Sequence, residues 1–363
     1  MATAKVKIAA RLRPRLTGEA QDDAVRVCHS EPAECSNTSN NGNASRSSSD
    51  GSFTGIAVAN PHDASQVFRF PFTSCYDADA TQAAIFEADV RPLVDVAWGG
   101  VTVTIFAYGV TSSGKTHTMQ GTPADPGVIP RVVKALFAKS ASPTLPGTTE
   151  RAEIAVSYIE IYKDDVYDLL VTRENAPKLP VRENGAGTVF VAGLTSAPIE
   201  SVEAFERVYA TATARRSVGV TLLNRASSRS HAVLTLTMHV TTTTGNGGQT
   251  VREGKLNLVD LAGSENNKLT GNDPSRMAES SAINKSLSVL GQVVHALNTG
   301  ASHIPYRNAK LTRILQDALG GSSVGLLICN LAPSAKFRGD TLNTLNFAVR
   351  TKNIENRPVV NER

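Results

Sequence analysis

The run Gly109-Val110-Thr111-Ser112-Ser113-Gly114-Lys115-Thr116 fits the phosphate-loop pattern G-x-x-x-x-G-K-[ST] at every fixed position. In such a loop the backbone N–H groups cradle anionic oxygens, and the helix that follows adds its positive end. Glycines admit positive φ and close backbone approach. Lys115 is placed to reach terminal phosphates, and the Thr116 hydroxyl to ligate Mg2+. Taken alone, the run could also be an ordinary Gly/Ser turn. Its context is stronger, because apolar residues 101–108 read as a buried strand and a helix can open at Gly114.

Two further runs carry matching chemistry. Leu256-Asn257-Leu258-Val259-Asp260-Leu261-Ala262-Gly263 is a strand ending in D-x-x-G. An Asp ending a buried strand beside a phosphate loop binds Mg2+, here through a water, and the Gly263 N–H can sense a terminal phosphate. Asn224-Arg225-Ala226-Ser227-Ser228-Arg229-Ser230-His231 packs hydroxyls, an arginine and an amide before a strand. By itself it reads equally as a serine-rich turn. Together the three runs describe a nucleotide switch, whose loops order on a γ-phosphate and Mg2+ and release on hydrolysis. The N-K-x-D sequence of guanine specificity is missing: Asn284-Lys285 and Asn267-Lys268 are both followed by the wrong residues.

These loops need a scaffold. Strand-like runs occur at 5–12, 101–108, 152–161, 231–241, 255–261 and 324–332, with helical patterns at 82–97, 127–140, 202–216, 277–298 and 309–319. Such alternation predicts a mixed α/β sheet covered on both faces. The Lys- and Arg-rich N-terminus weakly suggests a transit peptide, but apolar residues alternate with Lys5, Lys7, Arg11 and Arg13, which favours a strand. Residues 241–250 predict a hairpin tip. Residues 36–52 hold one apolar residue, Ala44, and predict a disordered surface insertion.

The bulk composition is that of an ordinary globular chain: 363 residues, 41% hydrophobic and 19% charged. A net charge of +4, from 37 basic and 33 acidic residues, is too mild for a general polyanion binder, so an acidic partner must meet a local patch. Cys28, Cys35, Cys75 and Cys329 form no metal-ligand spacing and read as reduced thiols of an intracellular protein. No apolar stretch approaches 18 residues, so no membrane span is expected.

At this point the sequence resembles the kinesin motor domain. The matching runs appear in order: Arg11-Leu12-Arg13-Pro14, the phosphate loop extended from Ala107 to Met119, N-x-x-S-S-R-S-H, Asp260-Leu261-Ala262-Gly263-Ser264-Glu265, Ile283-Asn284-Lys285-Ser286-Leu287, and residues 305–313 (PYRNAKLTR). The resemblance covers about Lys5 to Asn361. Within the family, TGNDPSRMAESSAINKSL and NRPVVNE are most similar to the Kid-type chromokinesins.

The resemblance implies the P-loop NTPase kinesin motor fold over residues 1–353, a central twisted mixed β-sheet with helices on both faces, followed by a neck-linker segment at 354–363. It implies a microtubule-stimulated ATPase using ATP and Mg2+. Arg11, Arg13 and Pro14 would lie at the adenine and ribose, with His117 near the adenine. His117 also fits a plain surface histidine early in a helix. Thr116 and Ser228 would ligate Mg2+, with Asp260 behind a water. Ser227 and Asn224 would close on the γ-phosphate, Gly263 would sense it, and Arg229 and Glu265 would form a closing salt bridge. Glu265 would also relay the proton of the attacking water.

On the same basis Lys268, Lys285, Arg307, Lys310 and Arg313 would face tubulin, although the last three also read as a solvated charged face sharing one side of a helix. Val110 replaces a common glutamine, and Asp165 stands where several kinesins carry a lysine, which argues against strong track binding there. Asn361 falls where a latch asparagine is expected. Pro358 lies inside the linker and lacks an N–H donor, so docking as a strand is expected to lose a hydrogen bond. Pro358 and the absence of heptads leave a second reading open, a nucleotide-gated microtubule tether with little or no processive motility, and this chain alone is expected to be monomeric. The implied locations are the cytoplasmic cytoskeleton, the spindle and the nucleus. Chromosomal or DNA cargo would be held by regions beyond this chain.

Overall fold

The computed structural model describes residues 3–20, 24–30, 53–60, 63, 66–142, 147–172, 177–222, 227–265 and 274–363. The 36–52 insertion, Asn224 and Lys268 lie outside them.

Among the described residues nine strands form the main sheet. Its order is Ala197–Ile199, Thr148–Tyr162, His231–Thr244, Gln249–Asp260, Thr102–Tyr108, Val324–Leu331, Lys7–Leu12 and Ser74–Tyr76, with Asp165–Asp168 also paired to Thr148–Tyr162. From Gln249–Asp260 to Ser74–Tyr76 neighbouring strands run parallel, whereas the other half is antiparallel. The expected mixed sheet is therefore present. In Thr102–Tyr108 the side chains alternate between two cores. Phe106 and Tyr108 join one with Leu290, Val293, Leu311, Leu345 and Phe347. Val103, Ile105 and Ala107 join the other with Val94, Trp98, Val132, Leu136 and Phe205. Both faces of a central strand are thus buried, which explains its unbroken apolar run.

The helices Val128–Ser140, Val202–Leu222, Pro274–Asn298 and Arg338–Lys352 cover the sheet. The pattern at 82–97 becomes Gln82–Ile85 and Arg91–Trp98 joined by a π turn, Phe86–Val90. There Asp89 is buried and receives Lys7 at 2.8 Å, Ser74 and Tyr76. A small antiparallel sheet, Val25–Ser30, Phe53–Ala59 and Val67–Pro71, went unread in the sequence because its strands are short and flank the polar insertion. The tip expected at 241–250 narrows to residues 245–248, since both flanking strands run further than their apolar patterns.

The expected helix at 309–319 is not continuous. It becomes a helix Lys310–Ile314 and a 3-10 turn Gln316–Ala318, preceded by a separate 3-10 turn Tyr306–Asn308. Ala309 is extended, with φ −145° and ψ 147°. Asp164 Oδ1 accepts the Lys310 N–H at 2.8 Å and fixes the break. Arg307 therefore lies outside the helix that carries Lys310 and Arg313, so spacing of three along one helix does not align them.

Residues 354–363 lie along the body of the domain. Glu355–Asn356 pairs with Ala4–Lys5, the Arg357 N–H donates to Gly321 O (2.8 Å) and the Val359 N–H to Ser322 O (3.2 Å). The Asn361 N–H reaches Gly100 O (2.8 Å) and the Arg363 N–H reaches Val251 O (3.0 Å). Donation falls on alternate residues, and Pro358 occupies a position whose N–H faces away from the ladder. The loss expected at Pro358 does not arise, because an edge strand uses only every second donor on one side.

Asn361 adds its side chain, with Nδ2 donating to Gly100 O at 3.0 Å and to Glu253 O at 3.4 Å. Gly100 has φ +92°, and a Cβ there would stand 3.1 Å from Asn361 O and 3.3 Å from Val360. Asn361→Ala is expected to raise amide exchange at Val359, Asn361 and Arg363 about tenfold, the equivalent of ~1.4 kcal/mol for two modest hydrogen bonds. Unchanged exchange in hydrogen–deuterium measurements would show that the side chain does not latch the segment.

Candidate nucleotide site

The phosphate loop leaves the C-terminal end of a central strand flanked by two parallel neighbours, where ligands bind in open α/β sheets. Asp260 pairs in register with Ala107, so the D-x-x-G turn emerges beside the loop. The Leu261 N–H donates to Ala107 O (3.2 Å), the Gly263 N–H to Ser228 O (2.9 Å) and the Ser264 N–H to Gly109 O (3.0 Å). The three runs singled out in the sequence are thereby joined through their backbones.

Within the loop, Gly109 has φ +152°, and an added Cβ would meet Asn330 O at 2.1 Å, so no larger residue fits. Gly114, at φ +98°, opens the helix Lys115–Met119 as expected. Ser112 is left-handed at φ 64° although it is not glycine. Its carbonyl accepts Arg13 Nε at 2.6 Å, and the rest of that guanidinium grips Glu19 with two hydrogen bonds. Val110 and Ser113 are buried, and Val110 O faces Lys115. The bond to Arg13 holds Glu19 at about 2.

Lys115 is 6% exposed and donates to Gly109 O and Val110 O, both at 2.9 Å. Burial pushes its ammonium below the ordinary lysine range, against the pull of Asp260 and Glu265. The Thr116 hydroxyl donates to Asp260 Oδ2 at 2.9 Å, and Arg216 Nη1 reaches the same oxygen at 3.2 Å. Asp260 Oδ1 is buried and has no protein partner. A buried carboxylate oxygen left without a donor, beside a threonine hydroxyl, fits the outer shell of a hard cation.

Ser227, Ser228 and Arg229 form a 3-10 turn, with Ser228 and Arg229 half-buried. The Glu265 carboxylate accepts the Thr111 N–H at 2.7 Å and a short bond from the Thr111 hydroxyl. Among the described residues no ion pair joins Arg229 to Glu265. Gly263 leaves no room for a side chain, since a Cβ would stand 2.3 Å from Thr111 Oγ1 and 2.4 Å from Glu265 Oε2.

The residues expected at the base divide into two groups. Pro14 and His117 are exposed beside the loop, and the partial desolvation of the His117 ring, followed by the Arg11 charge, pushes it down. Arg11 and Arg13 are buried. Arg11 donates to Gln82 Oε1 (2.7 Å) and Thr118 Oγ1 (2.9 Å), and Gln82 holds the His117 carbonyl at 2.6 Å. Arg11 is thereby tied to the helix that follows the loop, and Arg13 to the loop itself.

Several residues of the site carried no motif. Arg216 lies on Val202–Leu222 one turn after the fully buried Ala212. Burial opposes its charge, but Tyr158, Asp260 and Glu160 outweigh that and keep it firmly protonated. Glu160 also accepts the Ser230 hydroxyl at 2.8 Å. A carboxylate inside the apolar strand Tyr158-Ile159-Glu160-Ile161 was the available signal.

The expected track residues come from separate elements. Lys285 lines an open groove with Ser288, Gln292 and Asn308. Arg307 and Arg313 both reach Glu183 Oε2, at 3.0 and 3.7 Å. Asp165 pairs with Lys178 at 2.8 Å. Among the described residues no helix is long and apolar enough to cross a membrane, and no cluster of three His, Cys, Asp or Glu could hold a metal. Cys28, Cys75 and Cys329 are free thiols.

The kinesin motor-domain family model matches residues 11–354. Kinesin-like protein KIF22 of Mus musculus is 41% identical over 359 residues, covering 99% of this chain and 51% of that protein. The Xenopus tropicalis protein of the same name is 39% identical over 364 residues, covering 99% and 53%. The chain spans about half the length of these curated relatives. The solved structure of a fast kinesin, described with its ATPase mechanism and interactions with microtubules, superposes with TM-score 0.82 at 35% identity, covering 99% of this chain and 94% of that one. This chain belongs to the kinesin motor-domain family.

Proposed function

We propose that this chain is a microtubule-stimulated ATPase motor domain, coupling Mg-ATP hydrolysis to microtubule binding and plus-end-directed movement. The observation that carries this reading is the joining of the phosphate loop, the serine/arginine turn and the D-x-x-G turn by backbone hydrogen bonds, in a domain whose C-terminal segment is docked along its side. A change at one loop then has a physical route to the others.

ATP is the substrate, and Mg2+ held by Thr116 and Ser228, with Asp260 behind a water, would offset charge on its β- and γ-phosphates. Lys115 offers a third N–H beyond the two it gives to Gly109 and Val110. Ser227 and Asn224 are assigned to the γ-phosphate, with the Gly263 N–H as its sensor. Closure moves Glu265 from Thr111 to Arg229, which excludes bulk water. Glu265 then takes the proton of the water that attacks the γ-phosphorus as the bond to the β-phosphate oxygen breaks. Positioning and charge stabilisation carry such a loose transition state.

Lys268, Lys285, Arg307, Lys310 and Arg313 form the proposed face for tubulin, an acidic partner. Glu183 partly neutralises two of them. Glu183→Gln is therefore expected to tighten microtubule binding about two- to fivefold at low salt, the range of an exposed ion pair, with the difference shrinking as salt rises. Weaker binding in co-sedimentation would contradict this.

The tether reading loses its ground at Pro358, since the segment docks with that residue in place. A gliding assay with an added dimerising tag separates the two: sustained gliding supports the motor, and binding without gliding supports the tether. The Kid-type resemblance extends the proposal to spindle and chromosome movement, with cargo held by regions beyond this chain.

A further inference from the structure

His231 takes no part in the chemistry proposed above, yet it is 2% exposed and fully hydrogen-bonded. Its Nδ1 lies 3.0 Å from the Ala262 N–H, a donor, so Nδ1 must accept. The proton therefore sits on Nε2, which lies 2.8 Å from Ser286 Oγ and donates to it. The Ser286 hydroxyl in turn donates to Ile283 O at 2.8 Å. Burial, then the charges of Arg216 and Lys115, push this imidazole down to about 3, so one neutral tautomer persists at neutral pH.

The two ends of this chain matter. Ala262 immediately precedes Gly263, whose N–H is bonded to Ser228 O. Ser286 is on Pro274–Asn298 and immediately follows Lys285, which faces the open groove with Ser288, Gln292 and Asn308. One residue of helix turns about 100°. Ser286 therefore points into the domain while Lys285 points out. Among the described contacts, the imidazole is the one side chain that hydrogen-bonds both the backbone of the D-x-x-G turn and this helix.

We propose that His231 and Ser286 are positioning residues that hold the D-x-x-G turn in register with the helix bearing Lys285, a side-chain route for the coupling that the motor reading requires. The proposal rests on the motor reading and adds a route to it. A buried bond between a directional donor and acceptor transmits displacement because leaving either group unpaired costs more than moving both together.

The test uses the whole chain with polymerised microtubules, comparing wild type, Ser286→Ala and Ser286→Thr. Alanine removes the acceptor for Nε2–H. Threonine keeps the hydroxyl and its bond to the preceding turn. In Ser286→Ala, basal ATP turnover is expected within twofold of wild type, which also reports correct folding, while stimulation by microtubules falls at least fivefold. Ser286→Thr is expected to recover at least half of the stimulation. Full stimulation in Ser286→Ala overturns the coupling, as does a parallel fall of basal and stimulated rates, or a Ser286→Thr variant as uncoupled as alanine. If wild type itself shows no stimulation, the motor reading has failed and the coupling falls with it, an outcome visible before any variant is made.

Discussion

Lys115→Ala is expected to lower kcat/KM for ATP about 10²- to 10³-fold, the scale of removing one preorganised donor from a transition-state site. The side chain is buried, and only two of its three N–H groups are used, on neutral carbonyls 2.9 Å away. An ammonium held this way is incompletely compensated, since burial pushes it below the ordinary lysine range. On the proposed reading a terminal phosphate would complete its coordination and supply the missing charge. Lys115→Met keeps the apolar stem and removes the donor, so it is expected to lose the same activity with an unfolding midpoint closer to wild type. Stopped-flow nucleotide binding and steady-state turnover measure both. Turnover within tenfold of wild type in Lys115→Met would contradict the role given to this ammonium.

Asp260→Ala is expected to lower stability by about 3–5 kcal/mol, the cost of stripping one partner from a buried ion pair. Arg216 and Asp260 have side chains only 4% and 6% exposed. Removing the carboxylate leaves a buried guanidinium beside Tyr158 and Glu160 and removes the acceptor of the Thr116 hydroxyl. Asp260→Asn keeps an acceptor for Arg216 and is expected to lose less stability. Both variants are expected to lose dependence of nucleotide affinity on Mg2+. Urea unfolding and a Mg2+ titration read the two effects. A loss under 1 kcal/mol in Asp260→Ala would mean that Arg216 finds equal compensation elsewhere.

The loops of the site were legible because backbone geometry restricts them to few residue types. Gly109 and Gly263 have no room for a Cβ, and Gly114 has the room but holds a left-handed φ of +98°, so all three favour glycine. The central strands were legible because burial on both faces leaves only apolar residues. What supports the loops was less visible. Arg216, Glu160 and His231 act through tertiary contacts between distant elements, and no local spacing encodes a partner 44 or 55 residues away. The alternation around Arg11 and Arg13 predicts a strand and leaves their burial open, because a buried guanidinium with several acceptors is as well satisfied as a solvated one.

Two errors at the periphery have one cause. The 309–319 segment has helical periodicity, but the side chain of Asp164, far away in sequence, captures the Lys310 N–H and sets the helix start there, and the helix stops at Ile314, where Leu315 leaves helical geometry. At Pro358 the missing donor is real, yet the ladder of the docked segment does not ask for it. Local propensity states what a residue can do, and tertiary register decides which of its groups is used.

Steady-state ATP hydrolysis with and without polymerised microtubules, at low and moderate salt, tests the central claim most directly. A large stimulation that weakens as salt rises is the expected result, since the joined loops would turn over ATP and a basic face would meet an acidic track. Slow hydrolysis that microtubules leave unchanged at both salts would contradict it.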